Sequence, residues 1–390
     1  MSEQPTRIFD RAVAQLRHNM QVRESGSYNC IPFPNSLARF RNYIPGLQRK
    51  NYVIITANSG VAKSKFAKFF YVLCPHEFVQ NNPELDIKLD TMYFCLEENR
   101  ENFVQSLICN RLYVKYGIRM DIKQLKSIHF ERYLDAETLE KVNEMKDYFY
   151  ELEDHLIIID DVRNPTGIYK TAEAFIEKQG RWHTKMKEFD RGEGVTEMKE
   201  VNDWFEYTHP NHYVQIAVDH LSLLNKEKGL DSQWEAMSYM SSHYNIRLRD
   251  KYLACITDIQ QQEAGKEKQQ WTVKGQSIEE KLEPTLDGLG DNKTTQRDAD
   301  EVIGIFSPVR YKIWNHRGYN IALLRDNYRS AIILKCRDGS PDLRTGLWFD
   351  GATNVFAELP KADQMEDVDY DRFLRMTGRS RPNAREITFS

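Results

Sequence analysis

NYVIITANSGVAKSKFAKFF, residues 51–70, joins an apolar run to a turn of small residues and then to Lys-Ser at the head of a helical pattern. A loop that wraps phosphate needs that order. Main-chain N–H groups and a helix N-terminus surround the anion, a lysine reaches the β/γ oxygens, and a Ser or Thr hydroxyl holds Mg²⁺. The general pattern is Gly-x4-Gly-Lys-Ser/Thr. Here it is filled by Ala57, Asn58, Ser59, Gly60, Val61, Ala62, Lys63 and Ser64, with alanine in place of both glycines. Glycine admits positive φ and a close approach of backbone to ligand. Ala57 only opens the loop, whereas Ala62 adjoins the lysine and is accommodated if its φ is helical. On these residues alone, a surface turn with an ordinary exposed lysine is the competing reading.

Outward from the loop, short apolar runs alternate with helical patterns. The expected strands are Tyr52–Thr56, Thr91–Cys95, His155–Ile159, Tyr213–Val218, Tyr252–Ile256, Val302–Phe306 and Ser330–Lys335. Helices are expected at Lys63–Leu73, Glu101–Tyr116 and Asp231–Ile246. Apolar strands ending in polar residues, with helices between them, predict an α/β fold whose mainly parallel sheet is flanked by helices. Residues 1–28 form an N-terminal linker with an amphipathic helix over Arg7–Val22, and residues 29–360 form the main domain. Two stretches read as insertions: a charged, helical one at about 122–153 and a polar one without clear period at about 185–211. The tail, 361–390, starts acidic and ends basic, and is expected to be mobile or ordered by a partner.

The bulk properties exclude several classes. Basic and acidic side chains number 54 and 58, so any nucleic-acid surface must be local. The six cysteines show no CxxC spacing, which argues against a structural zinc and for reduced thiols in a cytoplasmic setting. No apolar run approaches the ~20 residues of a membrane helix, and MSEQPTRIFD lacks the apolar core of a signal peptide.

From about Cys30 to Leu359 the chain resembles the C-terminal, RecA-like ATPase domain of DnaB-like replicative helicases, of phage or mobile-element type. IPFPNSLARFRNYIPGLQRKNYVIITA is similar to the entry segment, and MYFCLEEN to the strand that carries the catalytic glutamate, placing Glu97 there. HLIIIDD resembles the strand ending in Asp-Asp, at Asp160 and Asp161. VQIAVDHLSLL resembles the second acidic strand and makes Asp219 the Walker B aspartate, a metal ligand with Ser64. QRDADEVIGIF is similar to the Asp-Ala-Asp motif, and AIILKCRDGSPDLRTGLWFD to the Lys-x-Arg-x-Gly hairpin. In the family that lysine and arginine reach the neighbouring subunit's ATP; the matching residues are Lys335 and Arg337. The resemblance therefore implies ATP and Mg²⁺ as cofactors, a homo-oligomer (in the family a hexameric ring), single-stranded DNA as track, and primase or other replication proteins as partners.

Residue chemistry agrees with those roles. Hydrolysis of a triphosphate needs a cation on the β/γ oxygens, a metal, a carboxylate to orient water, and a cation for the transition state. Lys63, Ser64 with Asp219, Glu97 and Arg337 supply them, with Lys335 beside the arginine. Two places depart from the family. Its Ser-Gln after a core strand is Thr257-Asp258, which would set a negative charge near the phosphates. Its Asp-Leu-Arg-x-Ser-Gly loop is Gly288–Lys293, where Lys293 alone remains to meet DNA. A catalytically weakened nucleotide-binding protein with a structural or regulatory role, and a recombinase- or loader-type ATPase, are the alternatives.

Overall fold

The computed structural model describes residues 7–25, 28–191, 196–262, 282–289, 292–341 and 343–379. Eleven strands frame the site and its surroundings. They are β1 (Tyr52–Ala57), β2 (Lys88–Cys95), β3 (Leu156–Ile159), β4 (Gly180–Asp190), β5 (Thr196–Tyr207), β6 (His212–Asp219), β7 (Cys255–Gln261), β8 (Glu301–Phe306), β9 (Tyr328–Cys336), β10 (Arg344–Asp350) and β11 (Val355–Glu358). Nine of them form one sheet in the order β11-β10-β9-β8-β1-β7-β6-β2-β3. From β8 to β3 every pairing is parallel; β9, β10 and β11 continue the edge antiparallel. This is the expected α/β architecture, and the C-terminal hairpin is β9–β10.

Both sheet faces are covered, which is why the central strands read as nearly unbroken apolar runs. On one face Tyr52 and Ile54 meet Ile168, Ala172, Met237 and Leu248 from the helices that follow β3 and precede β7. On the other, Val53 and Ile55 meet Phe66 and Phe70 from the helical run that follows the loop. Those two phenylalanines stack at 4.0 Å between centroids. Each buried aromatic contributes roughly 1.5–3 kcal/mol, so the start of this helix is pinned to the sheet by its own sequence.

Several boundaries differ from expectation. The helical run beginning at Lys63 continues through a π-helical turn, Lys68–Leu73, to Asn81. Tyr252 ends a helix, and β7 runs from Cys255 to Gln261, about five residues past the expected strand end. The polar stretch without period is largely a long antiparallel hairpin, β4–β5, a two-stranded sheet outside the nine-stranded one. A β-bulge beside His183 and its solvent-exposed outer half blur the alternation that a half-buried strand would show. The tail is not loose over its described part. The helix Asp367–Arg375 buries Tyr370 and Phe373 against the cluster around Trp348, and Leu374 is buried beside them in sequence. Residues 380–390 lie outside the described residues, as do 1–6 and 26–27 of the linker. Among the described residues no helix is long and apolar enough to cross a membrane.

Candidate functional site

The loop leaves the C-terminal end of β1 between two neighbours, β7 and β8. It is fastened from outside. The Asn58 amide donates to the Tyr311 hydroxyl at 2.6 Å, Arg310 donates to the Ser59 carbonyl, and Arg329 Nε donates to the Val61 carbonyl at 2.9 Å. Gly60 takes φ +75° and Ala62 takes φ +76°, ψ 32°. The helical φ that would have suited Ala62 is therefore absent. Its methyl sits in a left-handed conformation, a strain of about 1–2 kcal/mol relative to glycine. The helix that follows has no side-chain cap, so its first N–H groups are not satisfied by a capping side chain.

Lys63, almost fully buried, donates from Nζ to Gln261 Oε1 at 2.8 Å. The next residue reaches the neighbouring strand end. Ser64 Oγ donates to Asp219 Oδ1 at 3.0 Å, and the Tyr93 hydroxyl donates to Asp219 Oδ2 at 2.8 Å. Burial pushes the Asp219 carboxyl up to about 6, and the Lys68 ammonium is the charge that does most to hold it down. A buried carboxylate beside a serine hydroxyl suits a divalent cation. Mg²⁺ commonly takes one or two protein ligands and completes its shell with phosphate and water. Asp219 and Ser64 fit that donor set.

Glu97 and Glu98 sit in the turn between β2 and the helix Arg100–Tyr116, whose start is capped by the Asn99 side chain. Glu97 is exposed and lies 4.0 Å from His220 Nε2, while Glu98 pairs with Lys68. Burial, then the nearby Lys63 charge, push His220 down to about 4, so the ring is neutral. Gly60, Lys63, Ser64, Lys68, Glu97 and Glu98 line one cavity of about 300 Å³. The structure thus brings the loop, Asp219 and Glu97 to one place, at the C-terminal ends of parallel strands, where open α/β sheets bind ligands.

It does not bring Lys335 and Arg337 there. Lys335 lies opposite Val302, which pairs with Ile54, and Arg337 donates its main-chain N–H to Asp300, level with Tyr52 at the start of β1. That is five residues, roughly 17 Å along the strand, from the loop. Lys335 Nζ donates to the carbonyls of Gln296 and Ala299, each at 2.6 Å, and Arg337 Nη1 pairs with Asp300 at 2.8 Å. The Asp-Ala-Asp motif is the mount for this pair.

Asp258 calls for a correction. It stands mid-strand opposite Ile54, fully buried, and accepts from the Tyr52 hydroxyl at 2.7 Å and the Asn245 amide at 2.6 Å. Burial pushes it up to about 7. It lies three residues before the end of β7 and does not face the loop as a strand-end residue would. The strand end at the loop is Gln260-Gln261, with Gln262 next, and Gln261 holds the lysine. Gln260 binds the turn that carries Lys293, accepting from Thr295 Oγ1 at 2.7 Å and donating to the Asn292 carbonyl at 3.1 Å. Lys293 is exposed on that turn, while Gly290 and Asp291 lie outside the described residues. Asp160 caps the helix Arg100–Tyr116, accepting from the Arg100 N–H at 3.2 Å and its Nε at 2.7 Å. Asp161 is exposed. Sequence reasoning does not single out Gln261, Lys68, Tyr93, His220, Arg310 or Arg329. Only Gln261 carries a usable signal, a polar run at the end of a strand read too short.

No sequence-family model matches the chain, and no curated protein matches it by sequence. Solved structures do. A DnaB-like replicative helicase, described with its interactions with primase, is 17% identical, with 90% of this chain and 68% of that one covered at a TM-score of 0.61. The ATPase domain of a phage helicase is also 17% identical, with 92% and 100% covered at 0.59. The chain has the fold of DnaB-like helicase ATPase domains. The resemblance read from sequence motifs thus holds for the fold.

Proposed function

We propose that this protein is an ATP-dependent motor of the DnaB-like type, a ring-forming ATPase that moves on single-stranded DNA. The observation that carries the reading is the Lys63–Ser64–Asp219 constellation, which joins the loop to the end of β6 within hydrogen-bonding distance. Lys63 exchanges Gln261 for a β/γ-phosphate oxygen. Ser64 and Asp219 would hold Mg²⁺, which would supply positive charge at those oxygens. Glu97 orients the attacking water and accepts its proton, and neutral His220 beside it leaves that carboxylate uncompensated. Arg337 and Lys335, remote from their own loop, serve the site of an adjacent subunit and stabilise developing charge there. Gln261 reports phosphate occupancy to β7, and Gln260 passes it to the turn of Lys293, which touches a DNA phosphate. A hexameric ring and primase or other replication proteins as partners belong to this reading.

A second reading rests on Ala62. Its methyl stands on a strained residue of the cavity wall where the motif has glycine, and this fits a protein that binds nucleotide yet turns it over slowly, within an assembly. Steady-state ATP hydrolysis with and without single-stranded DNA separates the two. DNA-stimulated turnover supports the motor; tight nucleotide binding with turnover that DNA leaves unchanged supports the second reading.

A further inference from the structure

Lys68 stands five residues into the helical run that opens with Lys63, about 7.5 Å farther along the axis. Side chains on a helix lean back towards its N-terminus. The four-carbon stem of Lys68 therefore returns its ammonium to the cavity lined by Lys63 and Ser64. The residue is 3% exposed, and Nζ lies 4.3 Å from the centroid of the Phe103 ring. A buried ammonium requires a charged partner, and Glu98 is that partner. The pair is asymmetric. The Glu98 side chain keeps 25% of its surface in solvent against 4% for Lys68, so the carboxylate can swing out and the ammonium cannot. Lys65, which also lines the cavity, donates from Nζ to the Gly351 carbonyl.

We propose that Lys68 is a second phosphate-binding cation of the pocket, held in reserve by Glu98 and passed to a phosphate oxygen when a nucleoside polyphosphate enters. This rests on the reading that the cavity binds nucleotide. The exchange is one of ionic partners only: the polyphosphate oxygen replaces the Glu98 carboxylate against Nζ, and Glu98 turns to water. Two consequences follow. The adjacent glutamates divide their work, Glu98 as counterion and Glu97 as the carboxylate free to meet water. The pocket also keeps part of its affinity for polyphosphate when divalent cation is withdrawn, because Lys68 supplies fixed positive charge beside Asp219.

The test is equilibrium binding of a fluorescent ATP analogue, in EDTA and in Mg²⁺, to the full chain and to Lys68→Met, Glu98→Gln, the double variant and Lys63→Ala. Charge-assisted hydrogen bonds are worth about tenfold or more in affinity. Lys68→Met is expected to weaken binding about tenfold in EDTA and less in Mg²⁺. Glu98→Gln is expected to tighten it several-fold, about threefold or more, by freeing the ammonium from its competitor. The double variant should then match Lys68→Met, because without the lysine Glu98 has nothing to withhold. Tightening by Glu98→Gln that persists in the Lys68→Met background overturns the exchange, since it reduces Glu98 to simple repulsion of phosphate. Unchanged or weaker binding by Glu98→Gln, a conservative change at a half-exposed site, overturns it even if Lys68→Met fails to fold. If the wild type and Lys63→Ala bind alike, the pocket reading itself fails, and that outcome is distinct from the others.

Discussion

At the phosphate-loop end of the sheet Lys63 and Lys68 rest on side-chain partners, Gln261 and Glu98, whereas Lys335 and Arg337 at the other end rest on the carbonyls of Gln296 and Ala299 and on Asp300. Gln261 and Glu98 can rotate away and release their cations; the main-chain carbonyls that hold Lys335 cannot, and Asp300, the side chain that holds Arg337, is itself pinned by Arg249 and the Tyr52 N–H. The first end is therefore arranged for exchange within the subunit. The second holds two cations in a fixed place, presented outward, with Asp300 also bound to Arg249 and to the start of β1. Within one copy of the chain, the pair lies towards the start of β1, the opposite end from the loop. That asymmetry is what an interfacial site would need.

The sharpest way to break this comparison is to remove the rigid end. Arg337→Ala is expected to bind nucleotide at its own loop and lose about 10³-fold or more in turnover, the scale of an arginine finger. Mixed with Lys63→Ala subunits it should regain activity, because an intact loop then meets an intact arginine. Hydrolysis across mixing ratios, after native mass spectrometry has verified subunit exchange, checks this; mixed assemblies with no gain at any ratio would place Arg337 outside the site.

Within the exchanging end, Glu97→Gln should keep nucleotide affinity and lower turnover by about 10²–10⁴-fold, the range for a positioned general base. Measured affinity falling together with rate would make Glu97 a binding or structural group instead.

Between the two ends lies Asp258, which separates buried charge from functional charge. Its folded-state value, about 7, lies above the unfolded 3.8. The folded protein thus binds a proton more readily, and the stability this gives is present below the unfolded value and lost as pH rises through the folded one. Asp258→Asn, which mimics the neutral carboxyl, should gain on the wild type between about pH 5 and pH 8 by on the order of 2 kcal/mol. Thermal melts across that range give the answer; a Tm difference that does not vary with pH would mean Asp258 stays in one state throughout.

The smallest expected effect concerns the loop backbone. Ala62→Gly should leave stability, read from thermal melts, unchanged or raise it by up to about 1 kcal/mol, since relief of positive φ offsets glycine's extra freedom. Ala67→Gly, in the adjoining helix and buried, should cost about 1 kcal/mol or more. Equal losses at both positions would argue that Ala62 carries no strain.

These contrasts also show what the amino-acid order makes legible. The buried strands and the loop between them are local in sequence, so apolar runs and the Lys-Ser start betray them. The Glu97 and Asp219 positions follow because each ends or follows such a run. What escapes are groups whose role depends on reach or register. Lys68 looks like a surface lysine until the helix tilts it back into the cavity. A strand ended near Ile256 hides Gln261 and makes Asp258 look like a strand end, whereas β7 runs on to Gln261. Composition alone says nothing of the left-handed φ that the backbone gives Ala62. Arg310 and Arg329 fasten the loop from about 250 or more residues away, a distance that no local pattern spans.

The most direct test of the whole account is nucleotide binding and hydrolysis by the wild type beside Lys63→Ala, in Mg²⁺. Measurable ATP binding and turnover in the wild type, both reduced to background by that single change, is the predicted result. Equal binding and equal turnover in the two proteins would contradict the assignment of residues 57–64 as a phosphate loop.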